Sequence, residues 1–256
     1  MTALSVNLNK IALLRNSREG DYPSVIDFAK LAVDSGANGL TVHPRPDQRH
    51  IRVDDVLALS DYSNTLSDVE FNIEGNPFAP ANTLGQTPYP GLMSLIEITR
   101  PHQATLVPDS DEQLTSDHGF NLTKDSEALK PIIEKLKQWN VRISLFMDPD
   151  IKQIELAKAL GVDRIELYTG PYALACKTSA EEAAKSLSVY KTASDYANKI
   201  GLGVNAGHDL NLDNLKAFLT IDDIAEVSIG HALTVDALLL GYKNAIVDYS
   251  RICHFK

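Results

Sequence analysis

The chain has 256 residues, 44% hydrophobic and 23% charged, enough to bury one large core without disulfide or metal staples. Its formal charge of −10 argues against a general nucleic-acid binder. No apolar run approaches the roughly 20 residues that span a bilayer, so no membrane partner is expected. Cys176 and Cys253 show no CxxC or metal-ligand spacing and read as free thiols in a reducing compartment. The opening MTALSVNLNK lacks a signal-peptide pattern, and a cytoplasmic location is the expectation.

No low-complexity tract or charge block divides the sequence, so 1–256 reads as one domain. In chain order, strands are predicted at 4–8, 39–42, 69–73, 104–107, 142–146, 164–168, 201–205 and 226–229. Most follow an amphipathic stretch that stops near Gly or Asn, as in FAKLAVDSGANGLTVH and IELAKALGVDRIELYTG. That is the pattern of a helix, a left-handed cap and a buried parallel strand. Between the fourth and fifth strands, Ala128, Leu129, Ile132, Ile133, Leu136 and Trp139 form one helical stripe. Successive strand ends lie roughly 20–40 residues apart, room for a crossover helix. Eight such units predict an α/β fold, a single (β/α)8 TIM barrel with extra loop and helix insertions. A doubly wound open sheet is the competitor, weakened because no GxGxxG follows the first strand.

In a barrel the loops at the strand C-termini converge on one mouth, and the chemistry gathers there. The first strand leads to Asn7, Asn9, Lys10 and Arg18, the last in RNSREGDYP, a polar loop expected before the first helix. The second leads to TVHPRPDQRHI, with His43, Arg45 and His50. Glu74 follows the third, Asp109 and Thr115 the fourth, and Glu166 and Tyr168 lie on the sixth. The last two strands end in VNAGH and SIGHA, bringing His208, Asp209, Gly230 and His231. Four of the seven histidines thus fall after the second, seventh and eighth strands. In VEFNIEG the period of two puts Glu70, Asn72 and Glu74 on one face, with Glu74 at the mouth, where enclosure would raise its pKa. Glu166 reads either as a functional group or as half of an internal salt bridge. Glycine before histidine lets backbone N–H groups approach an anion, and a helix starting near Ala232 aims its positive end there. Together with Arg18, Arg45 and His50, this predicts two grips for phosphorylated small molecules.

The segments VNLNKIALLRNSR, TVHPRPDQRHI, FNIEG, LVPD, ISLFMD, IELYTGPYA, VNAGH and IGHA, in that order over nearly the whole chain, resemble the pyridoxine 5′-phosphate synthase family. The resemblance implies a barrel that assembles as a homo-octamer without metal or organic cofactor. It implies condensation of 3-amino-2-oxopropyl phosphate with 1-deoxy-D-xylulose 5-phosphate, a step of vitamin B6 biosynthesis. It makes His43 and Glu74 proton acceptors, His208 a proton donor and Glu166 a stabiliser of a transition state. Asn7, Arg18, the backbone at Asp209, Gly230 and His231 would hold the aminoketone phosphate. Asn9, Lys10, Arg45, His50 and Thr115 would hold the deoxyxylulose phosphate.

Three departures from the family pattern stand out: Asn9-Lys10 in place of Asp-His, Asp209 in place of Gly, and the long segment NPFAPANTLGQTPYPG after Glu74, expected to be a lid or interface loop. Two other readings remain. A phosphosugar lyase or aldolase on the same barrel would need a Schiff-base lysine, which the fifth and sixth strand ends lack. A non-catalytic phosphate-binding regulator would keep the anion grips without the proton chemistry. A zinc hydrolase finds no HxH or HExxH.

Overall fold

In a computed structural model, which describes residues 1–83, 88–110 and 112–254, eight parallel strands close into a barrel in sequence order. They are β1 (Ala3–Asn7), β2 (Gly39–Val42), β3 (Glu70–Gly75), β4 (Gln103–Leu106), β5 (Arg142–Met147), β6 (Arg164–Tyr168), β7 (Gly203–Gly207) and β8 (Ile224–Ile229). Closure is made by β1 on β8, with Leu4 opposite Val227 and Val6 opposite Ile229. The helices are α1 (Asn9–Asn16), α2 (Val25–Asp34), α3 (Val53–Ser63), α4 (Leu92–Thr99), α5 (Leu122–Gln138), α6 (Ile151–Leu160), α7 (Gly170–Thr178), α8 (Ala180–Lys199), α9 (Leu215–Phe218), α10 (His231–Leu240) and α11 (Tyr242–His254). The barrel with helical insertions is the architecture expected, and the open sheet is excluded by closure.

Strand phase explains where the core lies. Leu4, Val6, Leu40, Phe71, Ile73, Ile143, Leu145, Ile165, Leu167 and Val227 are fully buried and belong to one apolar cluster with the helices. The alternate positions turn polar groups inward, and their hydrogen bonds cross the barrel. Ser5 meets Thr41 at 2.7 Å, Thr105 donates to Asn72 at 3.1 Å, and Asn205 donates to Gln103 at 3.3 Å. The interior is therefore hydrophilic, unlike the branched aliphatic layers common in this fold. At its lower end Glu70 pairs with Arg142, and Arg164 lies 3.9 Å from Glu226.

Three local expectations are corrected. The RNSREGDYP stretch does not precede the first helix. Asn9 and Lys10 already start α1, because Ile11, Ala12 and Arg15 share a buried face one turn deep. The seventh strand begins two residues later than predicted, since Gly201, with φ +79°, ends the turn after α8. In the segment after Glu74, Asn82 and Tyr89 exchange backbone hydrogen bonds of 2.8 and 2.7 Å, and buried Tyr89 packs on Val53 and Leu95. None of its described residues lines the central cavity, which gives a lid role no support there; residues 84–87 lie outside the described residues.

Candidate active site

A cavity of about 400 Å³ opens at the strand C-termini. Of the fourteen residues expected at the site, thirteen line it: Asn7, Asn9, Lys10, His43, Arg45, His50, Glu74, Thr115, Glu166, His208, Asp209, Gly230 and His231. Arg18 does not. It is exposed just beyond the end of α1, while the buried arginine of that helix, Arg15, is held by Asp55.

Glu74 ends an inward-facing row of β3 and is buried. Asn7 donates to one carboxylate oxygen at 3.4 Å and Ser228 to the other at 3.5 Å. Asn7 is itself held by the Asn9 N–H, 3.0 Å from its Oδ1, and Asn9 accepts from the His43 N–H at 2.9 Å. The ends of β1, β2 and β3 are thereby fixed to one another. Burial, reinforced by Asp109 and Glu226, pushes the Glu74 carboxyl up to about 8. Glu166 is also held well above the ordinary range by burial, then by Glu74 and Glu226. Its Oε2 is buried with no hydrogen-bond partner among the described residues, so the internal salt bridge weighed for it does not form. The bridge belongs instead to Glu226, one layer lower.

These shifts have a consequence for stability. Between about pH 4.5 and about pH 8, folded Glu74 keeps a proton that the unfolded chain has released. Stability therefore falls as pH rises through that window, with Glu166 and Glu226 acting in the same direction. Thermal unfolding should show Tm declining from pH 5.5 to 8, and Glu74→Gln should flatten that decline.

His43 and His50 face each other with ring centroids 6.3 Å apart. Burial, then the Arg45 charge, holds His43 well below its ordinary value and brings His50 down to about 3. Both rings are neutral near pH 7. The His50 Nδ1 accepts the Ile51 N–H at 2.9 Å, so its Nε2 carries the ring proton as a donor. Cationic charge at this end comes from Lys10 and Arg45. Arg45 is buried against Asp109 at 2.5 Å, and Ser116 donates to the same Asp109 oxygen at 2.8 Å. Removing Arg45 would strand a buried carboxylate. Arg45→Ala should destabilise the protein by about 3–5 kcal/mol in a denaturant titration at neutral pH. The loss should shrink in acid, because burial pushes the Asp109 carboxyl up and it neutralises readily.

His208 follows β7 and His231 opens α10, with Gly230 before it. The α10 N-terminus meets the cavity, and the unpaired N–H groups and positive end of a helix favour an anion at such a place. Ser116, Ser228 and Phe146 also line the cavity and were not singled out from the sequence. The period of two from Glu226 through Ser228 to Gly230 was a usable signal for Ser228. Among the described residues, no group of three or more His, Cys, Asp or Glu is arranged to hold a metal ion.

The fold and site define an α/β-barrel protein with carboxyl and imidazole groups enclosed together at the strand C-termini. Among solved structures, 3-hexulose-6-phosphate synthase from Salmonella typhimurium superposes with a TM-score of 0.62 at 13% identity, covering 99% of this chain and all of the other. Tryptophan synthase from M. tuberculosis gives 0.61 at 11% identity, over 100% of this chain and 94% of that one. Those likenesses show the shared barrel. The family described as pyridoxal phosphate biosynthesis protein PdxJ matches residues 4–254, and the chain belongs to it. Pyridoxine 5′-phosphate synthase of Xanthomonas campestris pv. campestris (strain B100) is 52% identical over 98% of this chain and 96% of its own length. The enzyme of the same name from Xylella fastidiosa (strain 9a5c) is 52% identical over 97% and 93%.

Proposed function

We propose that this protein is a pyridoxine 5′-phosphate synthase, joining 3-amino-2-oxopropyl phosphate to 1-deoxy-D-xylulose 5-phosphate with release of phosphate and water. The observation that carries the reading is the enclosure of Glu74, His43 and His208 around one cavity of about 400 Å³. Ring closure needs several proton transfers in one place, and no single group serves them all. Glu74, titrating near neutrality, and neutral His43 are suited to accept protons, and His208 to donate one. Glu166, with a buried oxygen unbonded, is read as stabilising a transition state through a hydrogen bond to the substrate.

Asn9, Lys10, Arg45, the His50 Nε2–H and Thr115 line the cavity and are assigned to the deoxyxylulose phosphate. Asn7, Gly230, His231 and the backbone at Asp209 serve the aminoketone phosphate. Two grips orient amine against ketone and supply proximity. The contribution of Arg18 is part of the proposal on resemblance alone, since it lies off the cavity. No metal or organic cofactor enters this reading.

Self-association belongs to the same proposal, as a homo-octamer. Leu13 and Leu14 of α1 and Leu238 and Leu239 of α10 are exposed on helices that touch, an apolar surface that favours contact between copies. A cytoplasmic location is also proposed; no helix among the described residues is long and apolar enough to cross a membrane.

The test mixes both substrates with the purified protein and follows phosphate release alongside pyridoxine phosphate absorbance. Equal accumulation of the two products supports the reading. Binding without turnover would favour a regulator, and a borohydride-trapped adduct a Schiff-base lyase.

A further inference from the structure

The His208 imidazole is held at both nitrogens. Its Nδ1 lies 2.9 Å from Asp209 Oδ2, its Nε2 lies 2.8 Å from Thr115 Oγ1, and its edge meets the Tyr168 ring at a centroid distance of 5.2 Å. The two partners are not equivalent. The hydrogen bond from His208 holds the Asp209 carboxyl below its usual range, so Asp209 is ionised and can only accept. The ring proton of neutral His208 must then sit on Nδ1. Nε2 is left as the acceptor, with the Thr115 hydroxyl as its donor. Thr115 and His208 both line the cavity.

The backbone at this point is unfavourable for side chains. His208 has φ +84° and Asp209 φ +61°, the left-handed region where Asp is better tolerated than most residues and glycine is unstrained. Keeping a carboxylate there is thus a local conformational cost set against an effect on the neighbouring ring.

We propose that Asp209 is a positioning residue: its carboxylate fixes the Nδ1–H tautomer of His208, so that Nε2, on the Thr115 side, is the nitrogen that takes up a proton within the cavity and, once protonated, donates it to substrate. The inference rests on the synthase reading for its turnover measurement, but the tautomer can be measured without substrate.

The test compares wild type with Asp209→Gly, which removes the carboxylate and suits the backbone, and with Asp209→Asn, whose amide can donate to Nδ1. Histidine-selective 15N NMR of the protein without substrate, at a pH where the ring is neutral, reads the tautomer; His208→Gln assigns the signal. Wild type should show a protonated Nδ1 and a bare Nε2, whereas both variants should shift proton to Nε2. Turnover of Asp209→Gly should fall about tenfold in kcat, with KM for both substrates within about twofold. Its Tm should be unchanged or higher, a combination that a purely structural role would not give. An unchanged tautomer in Asp209→Gly overturns the proposal, as does a wild-type ring protonated on Nε2. An effect confined to KM overturns it too, placing Asp209 in substrate binding. Should wild type prove inactive on both substrates, the synthase reading fails, and the NMR comparison alone decides Asp209.

Discussion

Glu74→Gln is expected to bind both phosphorylated substrates and to lose turnover by about three orders of magnitude, the middle of the range for a general base. The amide occupies the same volume and can still bond Asn7 and Ser228, so the cavity should keep its shape. What it cannot do is take a proton. Calorimetric titration with one substrate should therefore give near-normal affinity, and single-turnover assays almost no product. In the wild type, with the carboxyl pushed up to about 8, kcat/KM should climb as pH rises toward 8, because the carboxylate is the working form. Near-normal rates in the variant would remove Glu74 as a base.

Gly207→Ala should be strongly damaging to the site. A Cβ built at Gly207 falls 2.2 Å from Glu166 Oε1 and 3.3 Å from the Ser228 carbonyl oxygen. The carbonyl belongs to β8 and is fixed, whereas Glu166 Oε1 is the end of a side chain beside the cavity, so the carboxylate is the group that gives way. The added methyl must turn the Glu166 carboxylate out of its place. We expect kcat to fall about a hundredfold, with circular dichroism unchanged and Tm lowered by several degrees. A variant with wild-type kinetics would show that the position of Glu166 does not matter to the reaction.

Much of the fold was legible because its signals are local. An amphipathic helix with a glycine stop and a four- to six-residue apolar run report themselves within a single window of sequence, and all eight strands were located that way. The strand ends carried the site with them, so His43, Glu74, His208 and Gly230 could be named before any contact was known. The misplacements also have local causes. In α1 only Ile11, Ala12 and Arg15 are buried, too short a stripe to outweigh the polar residues around it. The αL glycine at 201 belongs to the turn and not to the strand, which displaced β7.

What the sequence determined by itself, then, is the order of elements, the inward or outward face of each strand residue, and the set of side chains delivered to the mouth. Those follow from periods of two and 3.6, which depend on neighbours in the chain. The tertiary structure alone decided how those groups divide their tasks. Glu70 and Glu74 are four residues apart on one strand face, yet one is neutralised by Arg142 and the other is enclosed and raised in pKa. Arg45 is committed to Asp109, His50 is kept neutral, and Arg18 stays outside. Such outcomes turn on desolvation and on separations of a few ångströms between groups tens to hundreds of residues apart, and only closure of the barrel sets those distances.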